Sequence, residues 1–182
     1  NTYTNVTSQN FTANASDSLG LGNATLYIYN QTGLVNQTTV NLGGALQATV
    51  GIVVTLVDGV YSWFYTFFDL AGNLFTTGNW TLTIDSVVPT SSITNPTNNL
   101  AIGKNSIPYT IAGTANDDVL LNNVKLNISN TIVTAAGTTI WSYSWTPATD
   151  GTYALSSTAY DEAGNKETAI EYISVNAYVT ST

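Results

Sequence analysis

One sixteen-residue frame occurs twice in the sequence, and this repeat limits the possible folds more than any other feature. The stretch DGVYSWFYTFFDLAGN occupies residues 58–73, and DGTYALSSTAYDEAGN occupies residues 150–165. Every shared position keeps the same offset of 92 residues. A period of that length is the size of one β-sandwich domain. The repeat therefore predicts two similar domains, which we place at residues 1–88 and 89–182.

The chain between and around the two frames has the pattern of short strands. Runs rich in β-branched and aromatic residues recur throughout and are separated by Gly, Asn and Asp, and no stretch keeps the period of an amphipathic helix. The segment DSVVPTSSITNPTNN at residues 85–99 is a polar run interrupted by two prolines, which is typical of a domain boundary. These patterns predict an all-β fold.

The order of the motifs resembles the tandem immunoglobulin-like or fibronectin-III-like repeats of bacterial and archaeal surface proteins. The second copy carries TSSITNPTNN, then IAGTANDD, then a strand with Trp141 and Trp145, and then the frame. The first copy matches less cleanly, from about residue 10 to residue 85. The resemblance implies two tandem immunoglobulin-like β-sandwich domains, an architecture that hosts many functions.

In such a sandwich the two ends of the frame have structural roles. The resemblance assigns Tyr61 and Tyr153 to the corner tyrosine, whose hydroxyl bonds back to the turn preceding its strand. Asp-x-Ala-Gly-Asn predicts a hairpin turn in which Gly takes a positive φ and the polar side chains bind local amides. The frame therefore predicts architecture and says little about activity.

The strand inside the frame differs between the two copies. In VYSWFYTFF, strand alternation places Tyr61, Trp63, Tyr65 and Phe67 on one face, and Val60, Phe64 and Phe68 on the other. Both faces are apolar, whereas YALSSTAY in the second copy is not. We expect both faces to be covered, by about eight extra residues that the first copy carries in its middle strands, by the neighbouring domain, or by another subunit. Val60, Phe64 and Phe68 are therefore candidate interface residues.

The first copy also lacks a counterpart to one strand of the second. Aligning Asp17 with Asp117 leaves the leading strand near SSITNP unmatched. One explanation is a strand donated by another chain, either from the tail Tyr178–Thr182 or from the N-terminal TYTNVTSQNF. Such exchange would link identical subunits head to tail in an open chain, and it makes Tyr178 and Val179 candidate interface residues. The other explanation is that the sequence is a piece of a longer array.

Composition excludes several classes of function. Three Lys, no Arg and a net charge of −8 exclude a nucleic-acid partner. Without His or Cys the chain lacks the usual catalytic bases and nucleophiles, so we predict no enzyme activity and no catalytic residues. The apolar stretch at residues 50–68 is split by a turn-forming Asp-Gly, so no membrane span is expected.

Eight Asn-x-Ser/Thr sequons point to an extracellular, cell-surface location. Seven of them lie in the first 81 residues, although a chain rich in Asn and Thr produces some by chance. Their crowding in one half favours N-linked glycans. The candidate sites are Asn5, Asn10, Asn14, Asn23, Asn30, Asn36, Asn79 and Asn127.

We expect no cofactor or resident metal, with calcium as the open alternative. A calcium site would need acidic residues to meet at one end of the second domain, and hard oxygen ligands suit that ion. The candidates are Asp117, Asp118, Asp150, Asp161 and Glu162.

Together these features predict a structural subunit of an extracellular, glycosylated surface filament. It would resemble an archaeal pilus or thread whose subunits form a head-to-tail homopolymer by donor-strand complementation. The alternative is an adhesin stalk or surface-layer segment cut from a longer array of immunoglobulin-like domains.

Overall fold

The computed structural model describes residues 1–180, which form two compact units divided between Ser86 and Val87. The described residues contain no α-helix, and the one helical element is a 3₁₀ turn at Lys104–Ser106. Among residues 1–180 no helix has the length and apolar character needed to cross a membrane. The prediction of an all-β fold with two tandem sandwiches is confirmed.

The first unit is built around one long, bent hairpin. Its strands are β1 (Thr2–Thr4), β2 (Ser8–Asn30), β3 (Gly33–Thr55), β4 (Gly59–Asp69), β5 (Leu74–Thr76) and β6 (Trp80–Ile84). They are paired in the order β1-β6-β4-β2-β3, with β5 also paired to β4. The register of β2 with β3 breaks after Ser16, where Gly43 and Gly44 on β3 have φ of 62° and 82°. Only the part of β2 beyond this break pairs with β4.

The bend places the two halves of the hairpin in different layers. Phe11, on the first half of β2, contacts Trp63 on β4 with ring centroids 5.0 Å apart. The Tyr65 hydroxyl, also on β4, donates to the Phe11 carbonyl at 2.9 Å. The first half of β2 therefore faces β4 across the core rather than lying beside it. Burial raises the pKa of Tyr65 to about 12, which agrees with a position deep in this core.

The second unit is a complete two-sheet sandwich. Its strands are β7 (Thr90–Asn95), β8 (Leu100–Gly103), β9 (Tyr109–Asn116), β10 (Leu121–Ile128), β11 (Thr131–Thr134), β12 (Ala136–Gly137), β13 (Ile140–Trp145), β14 (Gly151–Asp161) and β15 (Tyr172–Tyr178). One sheet has the order β11-β10-β14-β15-β8, and the other has the order β12-β13-β9-β7. Trp141, Leu126 and Leu155 are buried between them.

Each unit closes one sheet edge with a short parallel pair. In the first unit β1 runs parallel to β6, with Thr2 opposite Leu82 and three residue pairs in all. In the second unit β8 runs parallel to β15, with Leu100 opposite Val175 and four residue pairs. The early strand of each unit is thus bonded directly to its last strand.

The repeated frame has the predicted structure in both units. The Tyr61 hydroxyl donates to the carbonyl of Val57, and the Tyr153 hydroxyl donates to that of Thr149, both at 2.9 Å. In the two turns, Gly72 and Gly164 have φ of 87° and 95°. The corner and the hairpin turn are therefore confirmed.

The aspartate of each turn receives matching bonds. Asp69 accepts the Asn73 main-chain N–H at 2.7 Å and its side-chain amide at 2.6 Å, and Asp161 accepts the same two groups of Asn165 at the same distances. The Asn73 side chain, together with local main-chain N–H groups, holds the pKa of Asp69 below its ordinary value.

The extra residues of the first unit lengthen β3. This strand pairs with β2 from Gly33 to Thr55, whereas the corresponding part of the second unit is divided among β11, β12 and β13. Val60 and Phe68 on the outer face of β4 remain 49% and 38% exposed. The expectation that the extra residues cover this face is therefore wrong, because they extend the hairpin within its sheet.

Candidate functional site

The candidate site is an open strand edge in the first unit. In the second unit β9 is flanked by β13 on one side and by β7 on the other. The corresponding segment of the first unit, residues 8–16 of β2, pairs with β3 on one side. On its other side no strand of residues 1–180 is paired with it. We call residues 8–16 the open edge.

The hydrogen-bonding pattern shows which main-chain groups of the open edge lack a strand partner. The Leu56 amide donates to the carbonyl of Thr7 at 2.9 Å, and the register continues unbroken from Ser8 opposite Thr55 to Ser16 opposite Gln47. Main-chain bonds alternate along an antiparallel strand. The N–H and C=O groups of the even-numbered residues therefore point away from β3, as they would toward an added strand.

Side chains of the open edge divide cleanly between its two faces. Phe11 is buried, and Ala13 and Ala15 pack against the core. The side chains of the even-numbered positions are all exposed; these are Ser8, Asn10, Thr12, Asn14 and Ser16. From Phe11 to Ala15 the inner face is therefore apolar, whereas the outer face is polar.

A groove of about 720 Å³ lies beside the end of the open edge. Ala15 lines one wall, and Phe67, Leu74 and Phe75 from β4 and β5 line the opposite side. Phe75 is 59% exposed and Leu74 is also exposed, although both lie on β5, which pairs with the end of β4. An unpaired strand edge next to exposed apolar side chains is the arrangement that accepts an added strand.

The three candidate interface residues on β4 lie on the outer face of the same unit. Phe64 is half-buried between Tyr27 and Tyr29, with ring centroids 5.2 Å and 6.1 Å apart. Val60 and Phe68 are exposed at the two ends of this face. The structure thus brings them to one surface of the sheet, on the side away from the groove.

The two proposed donor segments are bonded within their own units. Residues 2–4 form β1, and Tyr178 is the last residue of β15. Asp150 accepts the amides of Val179 and Thr180 at 2.6 Å and 2.9 Å, and the Thr180 hydroxyl at 2.7 Å. The last two residues of the predicted tail donor, Ser181 and Thr182, lie outside the described residues.

Most sequon asparagines are placed where a glycan would reach solvent. Five are exposed and three are half-buried; the exposed ones are Asn5, Asn10, Asn14, Asn30 and Asn79. Asn30 accepts three hydrogen bonds in its turn, all at Oδ1. None of these bonds uses Nδ2, the atom to which a glycan would be attached. Asn10 and Asn14 share the outer face of the open edge.

The five candidate calcium ligands do not all meet at one end of the second unit. Asp150 immediately precedes β14 and Asp161 ends it, so an eleven-residue strand separates them. Asp150 binds the segment after β15, and Asp161 binds Asn165 in its own turn. These carboxylates therefore serve separate structural contacts.

Sequence reasoning missed two residues that distinguish the units, Phe75 and Glu167. They occupy equivalent places 92 residues apart, and the repeat offset already aligned them. The available signal was that a glutamate aligns with a phenylalanine two residues after the end of the otherwise matching frame. This difference could be interpreted only once the structure showed what lies over each of the two residues.

Comparison with known proteins agrees with the architecture. Residues 89–156 match a family described as a bacterial Ig domain. The chain has the fold of two tandem immunoglobulin-like β-sandwiches. Among solved structures, the fibronectin(III)-like modules of Clostridium thermocellum CbhA are 19% identical, with a TM-score of 0.54 over 98% of this chain and 87% of that one. This similarity shows the fold.

More distant similarities to this immunoglobulin-like pair were also found. A tetra-tandem repeat from the extending region of a large adhesion protein is 16% identical with a TM-score of 0.42, over 95% of this chain and 50% of that one. A 1.5-MDa bacterial ice-binding adhesin is 16% identical with a TM-score of 0.41, over 92% of this chain and 57% of that one. No curated protein matches the sequence.

Proposed function

We propose that this chain is a structural segment of an extracellular, N-glycosylated surface protein. In this role its immunoglobulin-like units act as spacers, and its first unit joins a neighbouring segment by strand addition. The observation that carries the proposal is the open edge at residues 8–16, because the equivalent edge in the second unit is covered by β7. Main-chain hydrogen bonds and apolar side chains in the groove would supply the binding energy of the added strand.

Two further observations support the surface location. Five sequons lie at exposed positions, and the chain matches a bacterial Ig domain family over residues 89–156. Repeats of this architecture are non-catalytic modules in many proteins, which agrees with the lack of His and Cys. A stalk built of successive units is the form that the bacterial Ig domain match favours most.

A second candidate function is a homopolymeric filament in which the added strand comes from another copy of this chain. The open edge favours it as well, since head-to-tail strand exchange gives an open chain of identical subunits. The outer face bearing Val60, Phe64 and Phe68 would be available for lateral contacts between subunits.

The native material distinguishes these two functions. Electron microscopy and mass spectrometry of the isolated surface protein should show a polypeptide longer than 182 residues if the chain is part of a stalk. Uniform fibres with a subunit mass close to 19.3 kDa plus glycans would support the filament instead. A monodisperse monomer of that mass, with the open edge fully exchanging its amides, would contradict both.

Deletion of residues 177–182 tests the tail as the donor strand. The filament model with a tail donor expects the truncated chain to remain monomeric under conditions in which the full chain assembles. Because deletion also removes the bonds to Asp150, the variant Asp150→Ala is the matched control for loss of tail anchoring alone. Normal assembly of the truncated chain would eliminate the tail as donor.

Glycosylation is testable residue by residue. Peptide mapping of the native protein should find glycans at the five exposed asparagines before the half-buried Asn23, Asn36 and Asn127. The transferase needs an accessible amide, so occupancy should follow exposure. Unmodified peptides at all eight positions would contradict the glycoprotein proposal.

A further inference from the structure

A buried carboxylate holds the leading strand of the second unit in place. Glu167, which follows the β14 turn, is only 3% exposed. Its Oε1 accepts the Ser91 main-chain N–H at 2.7 Å, and its Oε2 accepts the Ser91 hydroxyl at 2.5 Å and the Ala159 amide at 2.9 Å. Two of these donors belong to Ser91 on β7. The carboxylate therefore keeps two of its three hydrogen bonds only while β7 is paired.

Each inward-facing side chain of β7 contacts groups of similar polarity in the second unit. The Ser91 Oγ lies 2.9 Å from the Oγ of Ser157, a buried residue of β14. Two residues further along, Ile93 packs against the apolar core. The strand thus presents one polar and one apolar side chain, and the polar one has buried partners.

Aromatic residues occupy the corresponding positions of the first unit. The repeat offset places Phe75 at the position of Glu167 and Tyr65 at that of Ser157. The strand pairing agrees with this alignment. Phe75 lies opposite Phe67 in the first unit, and in the second the Glu167 amide donates to the carbonyl of Ala159, the counterpart of Phe67. Ring centroids lie 5.8 Å apart between Tyr65 and Phe67, and 6.4 Å apart between Phe67 and Phe75. The buried pair that receives Ser91 is thus replaced by a row of rings.

The Tyr65 hydroxyl does not restore the missing polar partner. It donates to the Phe11 carbonyl at 2.9 Å and so is engaged within its own unit. A serine in the place of Ser91 would therefore meet ring carbons of Phe75 and Tyr65, the counterparts of the carboxylate and the hydroxyl that Ser91 meets in the second unit. Burying its hydroxyl there would leave that group without these partners.

The register fixes which residues of an added strand face the rings. In the second unit Ser91 is opposite Ala115, and Ile93 is opposite Gly113. The offset of 100 residues between Asp17 and Asp117 makes Ala15 and Ala13 their counterparts. A strand added in the same register would direct its two inward side chains opposite Ala15 and Ala13.

We propose that the first unit selects its added strand by side-chain chemistry, and that Phe75 is the residue that determines this specificity. The occupant is an extended peptide strand with apolar side chains at both inward positions. A strand with the sequence of β7, whose first inward residue is Ser91, is rejected. This proposal rests on strand addition at the open edge. It also predicts that β7 of one copy does not exchange into the first unit of another.

Two synthetic peptides test the selection on the full chain. One carries the sequence of residues 88–97, VPTSSITNPT, and the other carries the single change Ser91→Val. Fluorescence anisotropy of labelled peptides gives their Kd values, and amide hydrogen exchange locates the bound strand. We expect the Ser91→Val peptide to bind about tenfold more tightly and to slow exchange at residues 8–16.

A reciprocal variant assigns the selection to Phe75. Replacement by glutamate gives the first unit the acceptor found in the second, so Phe75→Glu should reverse the preference and favour the unmodified peptide. Phe75 is more than half exposed, so this change should leave the unit folded, which circular dichroism checks. The matched control Ile140→Glu alters an exposed apolar residue of the second unit and should keep the original preference.

The possible results separate the two proposals. Equal affinities with slowed exchange at residues 8–16 would overturn the selection and leave strand addition standing. A preference that Phe75→Glu does not change would also overturn the role of Phe75. If neither peptide slows exchange at the open edge, strand addition itself fails and the selection fails with it.

Discussion

The two units share one sheet and differ in the other. The order β3-β2-β4-β6-β1 of the first unit matches β11-β10-β14-β15-β8 of the second, including the parallel pair at its edge. The opposite layer has four strands in the second unit, but in the first it contains only the bent half of the β2–β3 hairpin. The sheet that contains the repeated frame thus has the same strand order in both units, whereas the number and the connections of the strands in the facing layer differ.

Equivalent core leucines test how similar the two units are. Leu26 and Leu126 are both fully buried and lie next to β4 and β14 in the same register. Replacement of either by alanine should lower the free energy of unfolding of its unit by about 3 kcal/mol. Urea unfolding of the full chain, followed by tryptophan fluorescence, measures both. The control Leu19→Ala, at an exposed position, should change stability by less than about 0.5 kcal/mol.

A much smaller effect at Leu26 than at Leu126 would break this comparison. It would mean that the core of the first unit is loosely packed without a strand over the groove, so that the cavity left by alanine collapses. Addition of a strand peptide should then raise the loss of stability caused by Leu26→Ala to the value found for Leu126→Ala.

Gly113 should tolerate a methyl group less well than its counterpart. A Cβ at Gly113 would collide with the Ser92 carbonyl of β7 and lie 2.6 Å from Cε2 of Trp141. Gly113→Ala should therefore destabilise the second unit by about 2 kcal/mol. The first unit has Ala13 at this position, and Ala13→Gly should cost about 1 kcal/mol or less. Thermal unfolding measures both, and equal costs would contradict the role of β7 in this difference.

The corner tyrosines should contribute nearly equally in the two units. Tyr61→Phe and Tyr153→Phe each remove one hydrogen bond, of 2.9 Å in both cases, to a main-chain carbonyl. Each should lower the free energy of unfolding of its own unit by about 1 kcal/mol. Chemical unfolding of the full chain checks this. A loss confined to one unit would show that the repeated frame stabilises the two corners by different means.

The smallest expected effect is a pH-dependent loosening of the segment after β15. The Thr180 hydroxyl, with the Thr180 and Val179 amides, holds the pKa of Asp150 below its ordinary value. Because folding lowers this pKa, the contribution of Asp150 is fully present above the unfolded value of about 3.9 and is lost as the pH falls through the folded value. The amide proton shift of Thr180 should report this transition by NMR. The variant Asp150→Asn should remove it, and a midpoint above 3.9 would contradict the assignment.

Local contacts account for what could be predicted from the sequence. Tyr61 and Val57, or Asp161 and Asn165, are four residues apart, so a short motif contains both partners. The strand pattern also predicted the two faces of β4. By contrast, Ser91 and Glu167 are separated by 76 residues, and no local pattern shows that they meet. The same limit explains why the five calcium candidates do not all meet at one end of the second unit. Asp150 and Asp161 are close in the sequence, but the extended strand β14 separates them in space.

The parallel pair in each unit bears on how the chain would carry tension. β1 is bonded to β6, and β8 to β15, so a pull along the chain loads these hydrogen bonds together in shear instead of breaking them one at a time. The second unit has four residue pairs in this clamp and the first has three. We expect the first unit to open at the lower force, and single-molecule stretching would contradict this if both opened alike. The unit with the open edge would then serve as the extensible element of the molecule.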